Sequence, residues 1–259
     1  MRIASLHELK HAAGVSFSID DSTRAAADAA MLIAEKGYPV TLFLNPGPIE
    51  ERQPYFSSLL NVLLDVADGV QFEYENVIYN LHDFRDRQRF RLHFKQREIL
   101  SARSGEEQCA MVNALARRLG VRDGLELPPH SQTLSAADVA RLANAGVALG
   151  NHGWSHVNFS ILAPSEATMQ IERAAAWLRT TDSVQSRPFA VPFGRQLPPS
   201  GFTLGEGDTW ILTDERLHAG WVGPSVLNRV ALDSLGESLS FAQAVSMAER
   251  AFRQNSSSS

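Results

Sequence analysis

The chain has 259 residues, 44% hydrophobic and 20% charged, with 24 Lys and Arg against 29 Asp and Glu. A formal net charge of -5 gives no basic face for nucleic acid, no apolar run reaches the ~18 residues of a membrane span, and the lone Cys109 allows neither an internal disulfide nor a thiolate zinc cluster. His7, Glu8, Lys10 and His11 fall where a signal peptide would carry its apolar core, so the expected location is the cytoplasm.

In chain order, GVSFSIDD (14–21) reads as a buried strand ending in two acids. Residues 22–37 carry Ala, Met, Leu and Ile at helical spacing, with Ser22 or Thr23 as cap and Gly37 as stop. YPVTLFLN (38–45) is the next strand, halted by NPGP, which reads as a turn; a helix follows around 53–67. Residues 68–100 alternate bulky and polar side chains and fit a hairpin or an irregular excursion, with Tyr74, Tyr79, Phe84 and several arginines as candidates to shape a substrate groove or an oligomer contact. Helices are expected at 106–120 and 134–146, the second capped by Ser135 and stopped by Gly146. Residues 147–152, 187–194, 209–214 and 227–233 read as strands, with a helix over 165–181 among them. The helix FAQAVSMAERAFRQ closes a single domain over 1–253, and 254–259 reads as a disordered tail. Such alternation predicts an α/β fold with a parallel sheet, here a barrel, whose reactive residues sit at the C-terminal ends of strands.

Two stretches compete for a metal. HELKH (7–11) spells the H-E-x-x-H of a zinc peptidase helix, and Gly14 falls where the longer pattern wants glycine. Phe17, however, stands where that pattern needs its third histidine, and no room precedes residue 7 for the sheet that supports such a helix. The plainer reading is a polar lead-in to the first strand. Asp20 and Asp21, by contrast, close an apolar run, and two adjacent carboxylates resist joint ionisation unless a cation is near. His152 and His156, in VALGNHGWSHVNFS (147–160), lie four apart at another strand end, where one helical turn would aim both imidazoles the same way. An acid from one strand end and two imidazoles from another make a three-ligand site with open positions, the set used by hydrolytic Zn2+ or a related divalent ion.

With these residues in view, SIDD (18–21), HGWSH (152–156) and FAVPFG (189–194) resemble the motifs T-F-D-D, H-[ST]-x-x-H and F-R-x-P-[YF]-G of the polysaccharide deacetylases with a NodB homology domain, carbohydrate esterase family 4. The resemblance runs over about residues 14–233. It implies a distorted (β/α)7 barrel, TIM-barrel-like, that hydrolyses the acetamide of an N-acetylated glycan. By motif position Asp21, His152 and His156 would hold the metal, with Zn2+ the first expectation, and Asp20 would be the general base. The backbone N–H of Phe193 would stabilise the oxyanion.

There are four departures. Ala190 replaces the arginine that in the family steadies the base, with Arg187 and Arg195 nearby as stand-ins; Gly153 replaces the hydroxyl of the second motif; Ser22 replaces a frequent glycine; and the late motif that supplies the general acid is not recognisable. The one histidine after His156 is His218, a candidate acid that also reads as a surface-loop residue. Trp154 either walls the sugar pocket or packs on the barrel rim. Three rivals stay open: a barrel that binds glycan or metal without catalysis, a peptidase using HELKH, and a hydrolase of another amide, such as a deformylase. The oligomeric state is left open.

Overall fold

The apolar run before the paired acids forms strand β1 (Phe17–Asp20), and YPVTLFLN forms β2 (Val40–Leu44), all five of whose residues are buried. The computed structural model describes residues 3–10, 14–121, 125–181, 188–194, 209–214, 220–223 and 226–230. The expectations placed on His11, Arg187, Arg195, His218, the closing helix and the 254–259 tail lie outside these residues.

Between the first two strands runs α1 (Arg24–Glu35), capped by the Thr23 side chain, which accepts from the Ala26 N–H. NPGP does not end in a turn. Pro46 occupies the first position of a short helix, α2 (Pro46–Glu51), where its missing N–H has no cost. Next come α3 (Phe56–Val66), a hairpin of β3 (Gln71–Tyr74) and β4 (Val77–Asn80), and α4 (Phe84–Arg97). The stretch read as a hairpin or excursion is therefore a hairpin followed by four turns of helix. Tyr74, Tyr79, Phe90 and Phe94 bury themselves there against Leu60, Leu63 and Leu64 of α3.

Helices α5 (Gly105–Arg118) and α6 (Ala136–Asn144) follow, the latter opening on a Ser135–Asp138 capping box. Strand β5 (Ala148–Asn151), α7 (Pro164–Thr181), β6 (Pro188–Ala190), β7 (Thr209–Asp214), β8 (Gly220–Gly223) and β9 (Val226–Val230) complete the described elements.

The seven-stranded sheet has the order β1-β2-β5-β6-β7-β9-β8, and every neighbouring pair is parallel except β8 with β9. Side chains alternate across it. Val40, Leu42 and Leu44 face α1 and α6, whereas Phe43 points the other way and meets Ala190, Ile211 and Leu227 from β6, β7 and β9. Strands that are far apart in the sheet can share one cluster only if the sheet curls, so the architecture is an α/β half-barrel compatible with a distorted barrel. It departs from strict β/α alternation late in the chain, where β7 and β9 are parallel neighbours with the antiparallel β8 between them in sequence.

The half-barrel interior also explains HELKH. Leu6 and Leu9 pack against the Phe43 cluster, and Glu8–Lys10 make a single 3-10 turn rather than a ligand-bearing helix. The Glu8 carboxylate accepts from both the N–H (2.8 Å) and the hydroxyl (2.9 Å) of Ser5, as a capping residue does.

The interior leaves little space. Gly150 of β5 pairs with Phe43, and a Cβ built on it would lie 2.4 Å from that ring. Gly150→Ala is expected to cost about 1–3 kcal/mol as an overpacked core site, read as a lower urea midpoint with an unchanged slope.

Candidate active site

The strand ends meet where the parallel strands finish. Asp20 closes β1 and Asp21 follows it with φ of 78°, a left-handed backbone that turns its carboxylate back across the strand ends. His152 follows β5, anchored by its N–H to the Leu44 carbonyl (2.9 Å). His156 does not lie one helical turn further on, as its spacing suggested. Residues 152–156 form an irregular loop, and φ values of 76° at Gly153 and 51° at His156 fold it back. The imidazoles end with ring centres 5.1 Å apart. Asp21, His156 and Phe193 are thus three of the six described non-glycine residues with positive φ, a concentration of backbone strain at one place.

Ligand atoms of Asp21, His152 and His156 all lie within 4.8 Å of one another, and this is the group of potential metal ligands found among the described residues. Asp21 Oδ1 is 3.3 Å from His156 Nε2 and 3.8 Å from His152 Nε2. Tetrahedral bonds of 2.0–2.2 Å would put ligand atoms about 3.4 Å apart, so the three donors fit a divalent ion. The supporting bonds agree. His152 Nδ1 is 2.7 Å from the Ala190 carbonyl oxygen and donates to it, which leaves the Nε2 lone pair facing Asp21. Asp21 Oδ1 is buried without a hydrogen-bond partner, an atom that a cation would satisfy.

Electrostatics separate the roles of the two acids. Burial pushes Asp21 up to about 6, helped by the neighbouring Asp20 and opposed by His152, Lys95 and Arg229. Burial also pushes Asp20 up, but the Arg229 guanidinium, with His152 and His156, outweighs it and holds that carboxyl below its usual range. Burial lowers both histidines, His156 to about 4 with the Lys95 ammonium adding to the effect, so both rings are neutral and able to ligate near pH 7.

Among the described residues the cation steadying Asp20 is Arg229, which the sequence did not single out. Arg229 on β9 grips Asp20 with both terminal nitrogens, Nη1 at 2.8 Å from Oδ1 and Nη2 on Oδ2, while Nη1 also reaches the Ser18 hydroxyl at 2.9 Å. It stands two residues beyond Leu227, on the same inward face, at a strand whose curl carries it across to β1. Ala190, at the position where the motif wants arginine, is a fully buried part of the interior cluster.

Other departures also have structural reasons. Gly153 has a left-handed backbone, and a Cβ there would lie 3.2 Å from Phe159, so a hydroxyl-bearing residue is disfavoured; the Asn151 side chain holds the loop instead, accepting from the Gly153 N–H at 2.8 Å. Ser22 is buried and its hydroxyl exchanges hydrogen bonds with the backbone of Asn45 (2.9 and 3.2 Å). Tyr55 donates to Asn45 Oδ1 and accepts from the Ser22 N–H, both at 2.8 Å, and Asn45 Nδ2 donates to the carbonyls of His152 and Gly153. This network ties the acid pair to the histidine loop. Gln108 adds a bond to the His156 carbonyl (3.1 Å). None of Asn45, Tyr55, Gln108 or Arg229 stands out in the sequence, because each acts across a long chain separation.

Phe193 lies at the site with φ of 61°, its ring 4.8 Å from that of His156 and 4.8 Å from the Lys95 ammonium. Trp154 is buried, with Gly47 closely apposed and the Arg173 guanidinium 3.6 Å over its ring, and it is not among the residues that line the groove at Asp21. A groove of about 520 Å³ opens at Asp21 and runs out between α3 and α4.

Comparison with known proteins adds a family likeness. Residues 104–200 match the family model described as polysaccharide deacetylase, a span that includes both histidines and Phe193. The Streptococcus pyogenes deacetylase PplD in complex with acetate is a similar solved structure, at 12% identity and a TM-score of 0.45, over 86% of this chain and 68% of that one. No curated protein sequence matches the chain. No described helix is long and apolar enough to cross a membrane.

Proposed function

We propose that this chain, a member of the polysaccharide deacetylase family, is a divalent-metal-dependent N-deacetylase acting on an N-acetylated glycan. The observation that carries the reading is the convergence of Asp21, His152 and His156 within 4.8 Å, beside a second acid held by arginine.

Asp21, His152 and His156 would hold the ion, which when bound supplies Lewis-acid polarisation of the acetyl carbonyl and the attacking water. Asp20 takes the water's proton. Its grip by Arg229 keeps it ionised and aimed, so that it is ready as a base at neutral pH. The Phe193 N–H, presented by a left-handed turn, stabilises the oxyanion as the carbonyl carbon becomes tetrahedral. The C–N bond then breaks, and the proton on Asp20, a strong acid beside Arg229, passes to the departing amine. This route needs no second acid.

Two observations weigh against two of the rivals. Asp21, His152 and His156 converge beside an Asp20 gripped by Arg229, an arrangement that a barrel without catalysis would not need. Glu8 and Leu9 of HELKH serve as a cap and as interior packing.

Acetate release from N-acetylglucosamine oligomers, abolished by a chelator and restored by Zn2+, tests the reading; no acetate with metal bound would sink it. Metal affinity is also expected to depend on pH. Ligation needs the Asp21 carboxylate, and that group is pushed up to about 6, so protons compete below that pH and not above it. Calorimetric titration of metal-free protein should show affinity falling about tenfold per unit below pH 6.

A further inference from the structure

We propose that the groove beside the metal ligands is built for an acidic glycan, and that a line of cations on α4 reads its negative groups; the inference rests on the hydrolase reading above. Arg87, Arg91 and Lys95 recur every four residues, so they share one face of α4 and follow one another at about 6 Å intervals. Arg87 and Arg91 line the groove of about 520 Å³ that begins at Asp21, together with Phe84, Asn61 and His130. That volume suits several ligand groups rather than a single acetamide. Lys95 continues the line to the reaction centre, its ammonium over the Phe193 ring.

Of the two arginines that line the groove, Arg91 is the one whose charge no described carboxylate balances. Arg87 is paired with Asp65 (2.8 Å) and Asp68 (3.4 Å), yet its Nε is buried without a partner. Arg91 donates to the neutral Asn61 amide oxygen (3.1 Å) and has no carboxylate partner among the described residues. Like charges four apart on a helix repel, so Arg91 and Lys95 on one face work against folding. Phe84, 71% exposed at the same groove, offers an apolar face on which a sugar ring could stack. Guanidinium forks bind carboxylate and phosphate alike, so the recognised chemistry is an anionic substituent at sugar-unit spacing.

The test compares neutral chitin oligomers with carboxymethylated and phosphorylated chitin oligomers of the same length, using calorimetric binding and acetate release. The expected result is about tenfold tighter binding and higher kcat/KM for an anionic oligomer at low salt, with the advantage shrinking as salt rises. A preference confined to one anionic series assigns the group as carboxylate or phosphate. Arg91→Gln should bring the anionic-to-neutral ratio close to one, whereas Arg91→Lys should keep most of it; a purely structural role for Arg91 would leave the ratio unmoved. Equal binding of all three oligomers, or an Arg91→Gln ratio like that of the wild type, overturns the proposal. Arg91-dependent binding of the anionic oligomer with no acetate from any of them would instead overturn the hydrolase reading and leave this inference standing.

Discussion

Replacing Arg229 with methionine is expected to lower acetate release at neutral pH by about 10²-fold and to move the acid limb of the kcat/KM profile upward. Methionine keeps most of the aliphatic bulk but removes the guanidinium, whose carbon lies 5.4 Å from the centre of the Phe43 ring. The sign follows from the environment of Asp20. Burial raises its pKa, and Arg229 is the largest influence pulling it back below the ordinary carboxylate value. Without that charge the burial effect dominates, Asp20 stays protonated to higher pH, and the base becomes available only above it. Arg229→Lys should fall between the two, because a point charge cannot grip both carboxylate oxygens. If Arg229→Met retained the wild-type profile, Arg229 would be a structural cross-strand tie and no more.

Asp20→Asn is the second large effect, a loss of about 10³-fold in kcat with metal content and substrate affinity near those of the wild type. The carboxamide occupies the same space and still offers an oxygen to Arg229, but it cannot accept the water's proton. Asp20 is not among the three grouped ligands, so the ion should remain. Loss of metal in Asp20→Asn would mean that Asp20 is itself a ligand. Activity within tenfold of the wild type would remove it as the base.

The parts of this site visible in the sequence are those in which chemistry and local pattern coincide. The paired acids end an apolar run, and the histidines flank a glycine after another strand, so the sequence alone sets both at strand ends. The α/β class and a parallel sheet were readable from alternating segments, and Ser135 and Gly146 marked the limits of α6. Helix α4 was not readable because seven of its fourteen residues are charged and Phe90 and Phe94 are its two buried positions, a weak stripe that its contacts with the hairpin and α3 must supplement. The NPGP stretch carried a turn signature, but proline at a first helical position carries the same letters. Arg229 reaches Asp20 from 209 residues away in the chain, through a curl that no local window encodes. The spacing of His152 and His156 was right for the wrong reason: left-handed residues, not a helical turn, bring the rings together.

The most direct measurement is metal content after reconstitution with Zn2+, in the wild type, in His152→Ala/His156→Ala and in His7→Ala/His11→Ala. The wild type and the 7/11 variant should each bind one equivalent and the 152/156 variant none, although it should still fold. Metal retained by the folded 152/156 variant, or lost from the 7/11 variant alone, would contradict this assignment of the ligands.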